Sequence, residues 1–191
     1  MRKAVLISIR PRWVQKIVDG EKTVEVRKTR PKLAPPFKCY IYCTLGGIKK
    51  MPKDYIAENF ERGKIVGEFV CDKINWLVHV GFMGVPEPPE LRICDERTMI
   101  TSPADALLDA ACLSAEEVES WLRFDDGYGW HISDLRIYAA PRELGGFRRA
   151  CPEELNCESC ALHSEYTDRC GNETLYLHRA PQSWCYVEEV E

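Results

Sequence analysis

Apolar residues recur with different periods along the first fifty positions, and each period predicts an element. Ala4 to Ile9 (Ala-Val-Leu-Ile-Ser-Ile) is apolar and β-branched, which predicts a first strand. Arg10-Pro11-Arg12 breaks that run, and Pro11 suits the first turn of a short helix. Trp13, Val14, Ile17 and Val18 then recur at helical spacing and predict a core-facing stripe. Asp19-Gly20 ends the helix, with Gly20 as a left-handed cap. From Thr23 to Thr29 the period falls to two: Val24 and Val26 point one way, while Glu25, Arg27 and Thr29 point the other. A proline-rich loop spans Arg30 to Lys38. Strands are predicted over Cys39–Thr44 and Lys64–Ile74, with a helix around Lys53–Phe60 between them.

The middle of the chain is less regular. Prolines mark a loop around Glu87–Glu90, and Ser114-Ala-Glu-Glu117 reads as a capping box opening a helix. Val118, Trp121 and Leu122 would form the apolar stripe of that helix. Strand character returns from Trp130 to Ala140, ending before Pro141, and again from Ser183 to Val190. No repeat, heptad array or βαβ alternation is present. Strands with a few interspersed helices predict an α+β protein built around a small barrel.

Composition bounds the class. A chain of 191 residues, 45% hydrophobic and 29% charged, is expected to form a single domain and is too apolar for disorder. The N-terminal apolar run of six residues is far short of a membrane span, so the protein is expected to be soluble and cytoplasmic. Net charge is −4, which argues against a general coat for duplex nucleic acid. Residues 1–50 nevertheless hold thirteen Lys or Arg against three acids, a local excess of +10, leaving −14 elsewhere. Such a segment suits one anionic ligand, or is a solvated basic face.

Ten cysteines divide into two groups. Cys39, Cys43, Cys71, Cys94, Cys112 and Cys185 lie scattered in apolar surroundings and suit reduced thiols acting as small hydrophobes. Cys151, Cys157, Cys160 and Cys170 crowd into twenty residues, with the spacing x5, x2, x9. Two thiolates two residues apart can share one ion from a single tight turn, and two more complete a tetrahedral shell. A structural zinc site is the leading reading, an iron–sulfur cluster the second and disulfides the third, with His163 and His178 near enough to replace a cysteine. The site would stabilise a Cys-rich insertion over residues 150–172 that has little core of its own.

The most informative polar segment runs from Gly20 to Arg27. It sets Lys22, Glu25 and Arg27 within one turn and one strand, a combination able to hold a polar, partly anionic ring compound: Arg forks onto a phosphate or base edge, a carboxylate accepts from an amine, and Lys supplies a point charge. The competing reading is a surface strand whose Glu25 and Arg27 neutralise each other. Ser8 and Arg10 share a strand face and can line the same pocket. Among the aromatics, Trp13 is assigned to the core, and Trp130 beside His131 is the preferred cleft pair; a structural histidine is the alternative for His131.

Ser8-Ile-Arg10-Pro-Arg-Trp13 followed by Gly20-Glu-Lys22-Thr-Val-Glu25-Val-Arg27-Lys28 closely resembles the N-terminal signature of the ASCH domain, a branch of the PUA-like superfamily. Gly127-Tyr-Gly-Trp130-His131-Ile-Ser-Asp134-Leu and Pro181-Gln-Ser-Trp184-Cys-Tyr resemble the same group, particularly a subgroup met in phages and prophages. The resemblance covers residues 3–80, 128–145 and the last strand, leaving 85–125 as a helical insertion. It implies a compact β-barrel with a cleft beside the first helix that binds RNA or modified nucleosides. Relatives include an amidohydrolase of N4-acetylcytidine and a ribonuclease. In that amidohydrolase a Thr follows three residues after the motif's Lys as nucleophile; here Glu25 stands at that position. The resemblance therefore implies a binding domain for RNA or a modified nucleotide. The alternative is an enzyme acting on RNA or a modified nucleoside, with Lys22 and Glu25 catalytic.

Overall fold

The computed structural model describes residues 2–46, 61–81, 90–123, 125–151, 160, 162–164 and 169–190. Two five-stranded sheets carry the fold. The first contains β1 (Lys3–Ile9), β3 (Phe37–Cys43), β4 (Ile65–Cys71), β9 (Ser133–Arg142) and β12 (Trp184–Glu188) in the order β12-β1-β3-β4-β9. The second contains β2 (Val24–Arg27), β5 (Ile74–Val80), β6 (Glu90–Cys94), β7 (Thr101–Pro103) and β8 (Gly127–His131) in the order β2-β8-β5-β6-β7. All pairings are antiparallel except β1 with β3, whose parallel crossover is made through the short helix α1 (Pro11–Val18) and β2.

The unbroken apolar character of β1 and β3 has a direct cause, because the first sheet is covered on both faces. Val5, Ile7 and Ile9 face one cluster with Val14 and Ile17 of α1, Cys39, Ile41, Phe69 and Trp130. Ala4, Leu6, Tyr40 and Tyr42 face the other, beneath Phe147 and Leu177 from the C-terminal third. Each such side chain contributes about 1.5–3 kcal/mol by leaving water. The α1 stripe behaves as its spacing predicts, and Gly20 adopts φ +75°, the left-handed cap.

The two sheets are joined at one corner by a bent double ribbon. β4 and β5 are separated only by Asp72-Lys73, and β8 and β9 only by Ile132, so each strand leaves one sheet and enters the other. The expected single strands over 64–74 and 130–140 are therefore each split by this bend. The corner is pinned by Ile132 N–H to Thr23 C=O (2.8 Å), His131 N–H to Lys73 C=O (2.9 Å) and Ser133 Oγ–H to Val70 C=O (2.9 Å). β9 also runs on through Pro141 instead of stopping before it; as an edge strand it loses no ladder bond to the proline.

Residues 90–122, expected to be helical, supply β6 and β7 to the second sheet as well as α2 (Asp105–Ala111) and α3 (Ala115–Leu122). The capping box of Ser114 and Glu117 is present. Leu107, Leu108, Ala111, Val118 and Leu122 of these helices pack on Val24, Val26 and Leu77 of the second sheet. Gly129 permits the approach: a Cβ there would lie 2.8 Å from Leu107 Cδ1. The helix expected at 53–60 and most of the loop expected at 87–90 lie outside the described residues, and Glu90 already belongs to β6. The architecture is α+β, a small barrel with flanking helices. No described helix is long and apolar enough to cross a membrane.

Candidate functional site: a charged trio beneath an open cavity

Lys22 leaves the α1 turn at the point where its backbone N–H bonds Lys16 C=O (2.9 Å), and the chain then enters β2. Period two puts Glu25 and Arg27 on the same side as the Lys22 head group, so the three meet. Glu25 Oε1 lies 3.0 Å from Arg27 Nη2 and Glu25 Oε2 lies 3.3 Å from Lys22 Nζ. The side chains of Lys22 and Glu25 are only 2% and 8% exposed. Burial on this scale demands partners, and several elements provide them. Lys22 Nζ donates to Ala111 C=O (2.7 Å) at the C-terminal, electronegative end of α2. Arg27 Nη2 donates to Ser8 C=O (2.7 Å), and Arg27 Nη1 lies 3.5 Å from Ser183 Oγ. Ser8 Oγ–H in turn donates to Pro181 C=O (2.6 Å), tying the end of β1 to the segment before β12.

Satisfaction within the buried trio is incomplete. The contact of Glu25 Oε2 with Lys22 is an ion contact without hydrogen-bond geometry, so Oε2 has no hydrogen-bond partner; neither has buried Arg27 Nε. Above the trio opens a cavity of about 830 Å³. Five cations reach its wall, Arg10, Arg12, Lys22, Arg27 and Lys28, against two carboxylates, Glu25 and Glu117. The excess positive lining, part of it in a low-dielectric floor, favours an anionic ligand.

Of the aromatic assignments from sequence, that of Trp130 to the cleft fails, while Trp13 packs against the first core cluster as expected and also reaches the cavity. Trp130 is fully buried, 5.9 Å centroid-to-centroid from both Phe37 and Trp184, and has no place on the cavity wall. Trp13, assigned to the core, lines the cavity, with the Arg12 guanidinium 4.5 Å and Lys22 Nζ 5.1 Å from its ring centroid. Trp121 also lines the cavity; Val118 and Leu122 alone of its expected stripe are buried. His131 stands apart at the barrel corner, Nδ1 2.6 Å from Asp72 Oδ1. That bond holds the Asp72 carboxyl below its usual range. The structure thus brings Ser8, Arg10, Lys22, Glu25 and Arg27 together on the cavity wall, whereas Trp130, although opposite Glu25 in the β2–β8 ladder, and His131 do not line it. Arg12, Lys28 and Trp121 were missed. Arg12 and Lys28 flank the motif directly, and the basic excess of the first fifty residues was their signal.

Cys39, Cys43, Cys71 and Cys94 are buried free thiols, as their apolar settings predict. Burial pushes the Cys39 thiol well above its usual range and those of Cys43 and Cys71 up to about 12. Of the clustered cysteines, Cys151 is half-buried and Cys160 exposed, while Cys157 and the side chain of Cys170 lie outside the described residues. The backbones of β10 (His163–Ser164) and β11 (Arg169–Cys170) pair so that His163 stands opposite Cys170. Among the described residues no three potential ligands are grouped around a metal position.

No protein-family model matches the chain, and no curated protein matches it in sequence. Solved structures do. The ASCH protein from Zymomonas mobilis superposes with a TM-score of 0.51 at 15% identity, over 97% of this chain and 88% of that one. Tyr→Phe and Ser→Ala variants of the same protein each give 0.53 at 16% identity over 98% of this chain, and 92% and 90% of theirs. The fold of this chain is therefore that of an ASCH protein, an α+β barrel of the PUA-like class.

Proposed function

We propose that the cavity binds a nucleotide, free or within RNA, and that Lys22, Glu25 and Arg27 form its recognition floor. The observation that carries this reading is the cavity itself, about 830 Å³, with five cations against two carboxylates on its wall and the ion-paired Lys22–Glu25–Arg27 trio among its lining residues. An acceptor beside a donor complements the polar edge of a base, and the surrounding Arg and Lys side chains suit phosphate. The likeness of fold to an ASCH protein is consistent with this role. Arg12→Ala is the direct test, because Arg12 lines the cavity and is exposed. Anisotropy of labelled single-stranded RNA should fall in affinity with Arg12→Ala and weaken steeply from 50 to 200 mM salt. Absence of binding by RNA, DNA and nucleotides alike overturns the proposal.

An enzymatic reading would use Glu25 as the base for a water, and its only support is that Lys22 and Glu25 both line the cavity. Lys22 would polarise a carbonyl in that reading, and its ammonium is anchored by Ala111 C=O and Glu25. Turnover of N4-acylated cytidines or RNA that disappears with Glu25→Gln would select the enzyme; binding without turnover selects the module.

The cysteine cluster is proposed to hold a structural zinc through Cys151, Cys157, Cys160 and Cys170, with His163 or His178 as an alternative to one cysteine. One zinc per chain by elemental analysis is the expected outcome. Iron with sulfide would select the cluster alternative, and neither metal overturns the site.

A further inference from the structure

Trp121 is an unusual residue for its position. It follows Val118 by three and Glu117 by four, so it shares a helix face with them. Yet it is 43% exposed and stands on the cavity wall with Ser120. Lys28 binds this ring to the rest of the site. Its Nζ lies 5.7 Å from the Trp121 ring centroid and donates to Leu122 C=O (3.3 Å) at the end of α3, which also accepts from Asp125 N–H (3.2 Å). Lys28 follows Arg27 directly, so the cation at the rim and the cation of the floor are set by consecutive residues leaving β2. Trp13, by contrast, has two cations against its own ring and is committed to holding them.

We infer that Trp121 and Lys28 form a second subsite, in which a further base stacks on the indole while its phosphate meets the ammonium. This rests on the nucleotide reading of the trio and extends it: the ligand is an unpaired strand of at least two nucleotides, because a base reaches an aromatic face only when it is out of a duplex stack. A cavity of about 830 Å³ leaves room beyond the floor for that second unit.

The experiment compares uridine 5′-monophosphate with single-stranded tetranucleotides, U4 RNA and dT4 DNA, by tryptophan quenching and calorimetry. Wild type should bind the tetranucleotides more tightly than the monophosphate. Trp121→Ala should weaken the tetranucleotides by about 5- to 100-fold while leaving the monophosphate within about twofold. Trp121→Phe should restore most of the loss, and Lys28→Gln should lower the salt slope of tetranucleotide binding by about one. The second subsite is overturned if Trp121→Ala leaves tetranucleotide binding unchanged, or weakens both probes equally. Should wild type bind neither probe, the nucleotide reading of the floor fails, and this one with it. Trp121 is exposed, so an unchanged melting temperature separates these outcomes from misfolding.

Discussion

Two groups of charged side chains, one buried and one at the surface, differ in what they do. The Lys22–Glu25–Arg27 trio is buried, with backbone carbonyls from β1 and α2 accepting from its two cations. The His131–Asp72 pair at the barrel corner is about half-exposed, as is Arg30–Glu96, and Glu143, the carboxylate partner of Lys64, is largely exposed. An exposed pair is weakened by water and the entropy of its long side chains, whereas a buried charge left alone must bear its full desolvation cost. The trio is thus expensive to hold and maintained by several elements at once, the arrangement expected where charge is kept for recognition.

The sharpest way to break the contrast is Glu25→Ala, which leaves two buried cations without their shared counter-charge. A loss of about 3–5 kcal/mol is expected, with a melting temperature lower by about 10 °C or more. Glu25→Gln should cost less, since it keeps volume and one acceptor. Denaturant melts with an unchanged slope would check both, and wild-type stability for Glu25→Ala would mean that the trio is not buried in solution.

The next effect separates buried thiols from exposed charges by pH. Cys39, Cys43 and Cys71 keep their protons in the folded state well above the pH at which an unfolded thiol loses its own. Between about pH 9 and about 12 the native state therefore holds protons that the unfolded state has released, and stability falls as pH rises. Melting temperatures from pH 8 to 11 should decline progressively. Cys71→Ala should flatten that decline while lowering stability at pH 8.

At the small end stands Asp72→Asn. The Asp72 carboxyl is held low by His131, so its contribution is present above the usual aspartate range and fades as pH falls below it. Half-exposure limits the change to below about 1 kcal/mol at neutral pH. A larger effect would make the corner a structural latch comparable with the trio.

Much of this organisation was legible in the chain. The unbroken run of β1, the 3.6 period of α1, the Gly20 cap, the alternation of β2 and the Ser114 capping box are local, and local sterics and periodicity set them. Three features were not legible for one common reason. The bends at Asp72-Lys73 and Ile132 depend on which strands lie alongside. Trp130 lies in the core instead of the cleft because burial is decided by what covers a residue: Phe37 and Trp184 lie against Trp130. Trp121 sits on an apolar helical stripe and still faces the cavity, because the second sheet is wide enough to cover Val118 and Leu122 alone.

The sequence by itself determined the elements near the N-terminus and the identity of the three charges, since strand alternation sends Glu25 and Arg27 to one side whatever surrounds them. Only the tertiary structure decided that this side is an interior. The carbonyls of Ser8 and Ala111, 19 and 89 residues away from their cation partners, must arrive before Arg27 and Lys22 can leave water. A charge pattern states which groups attract one another; the folded surroundings set the dielectric in which they do so.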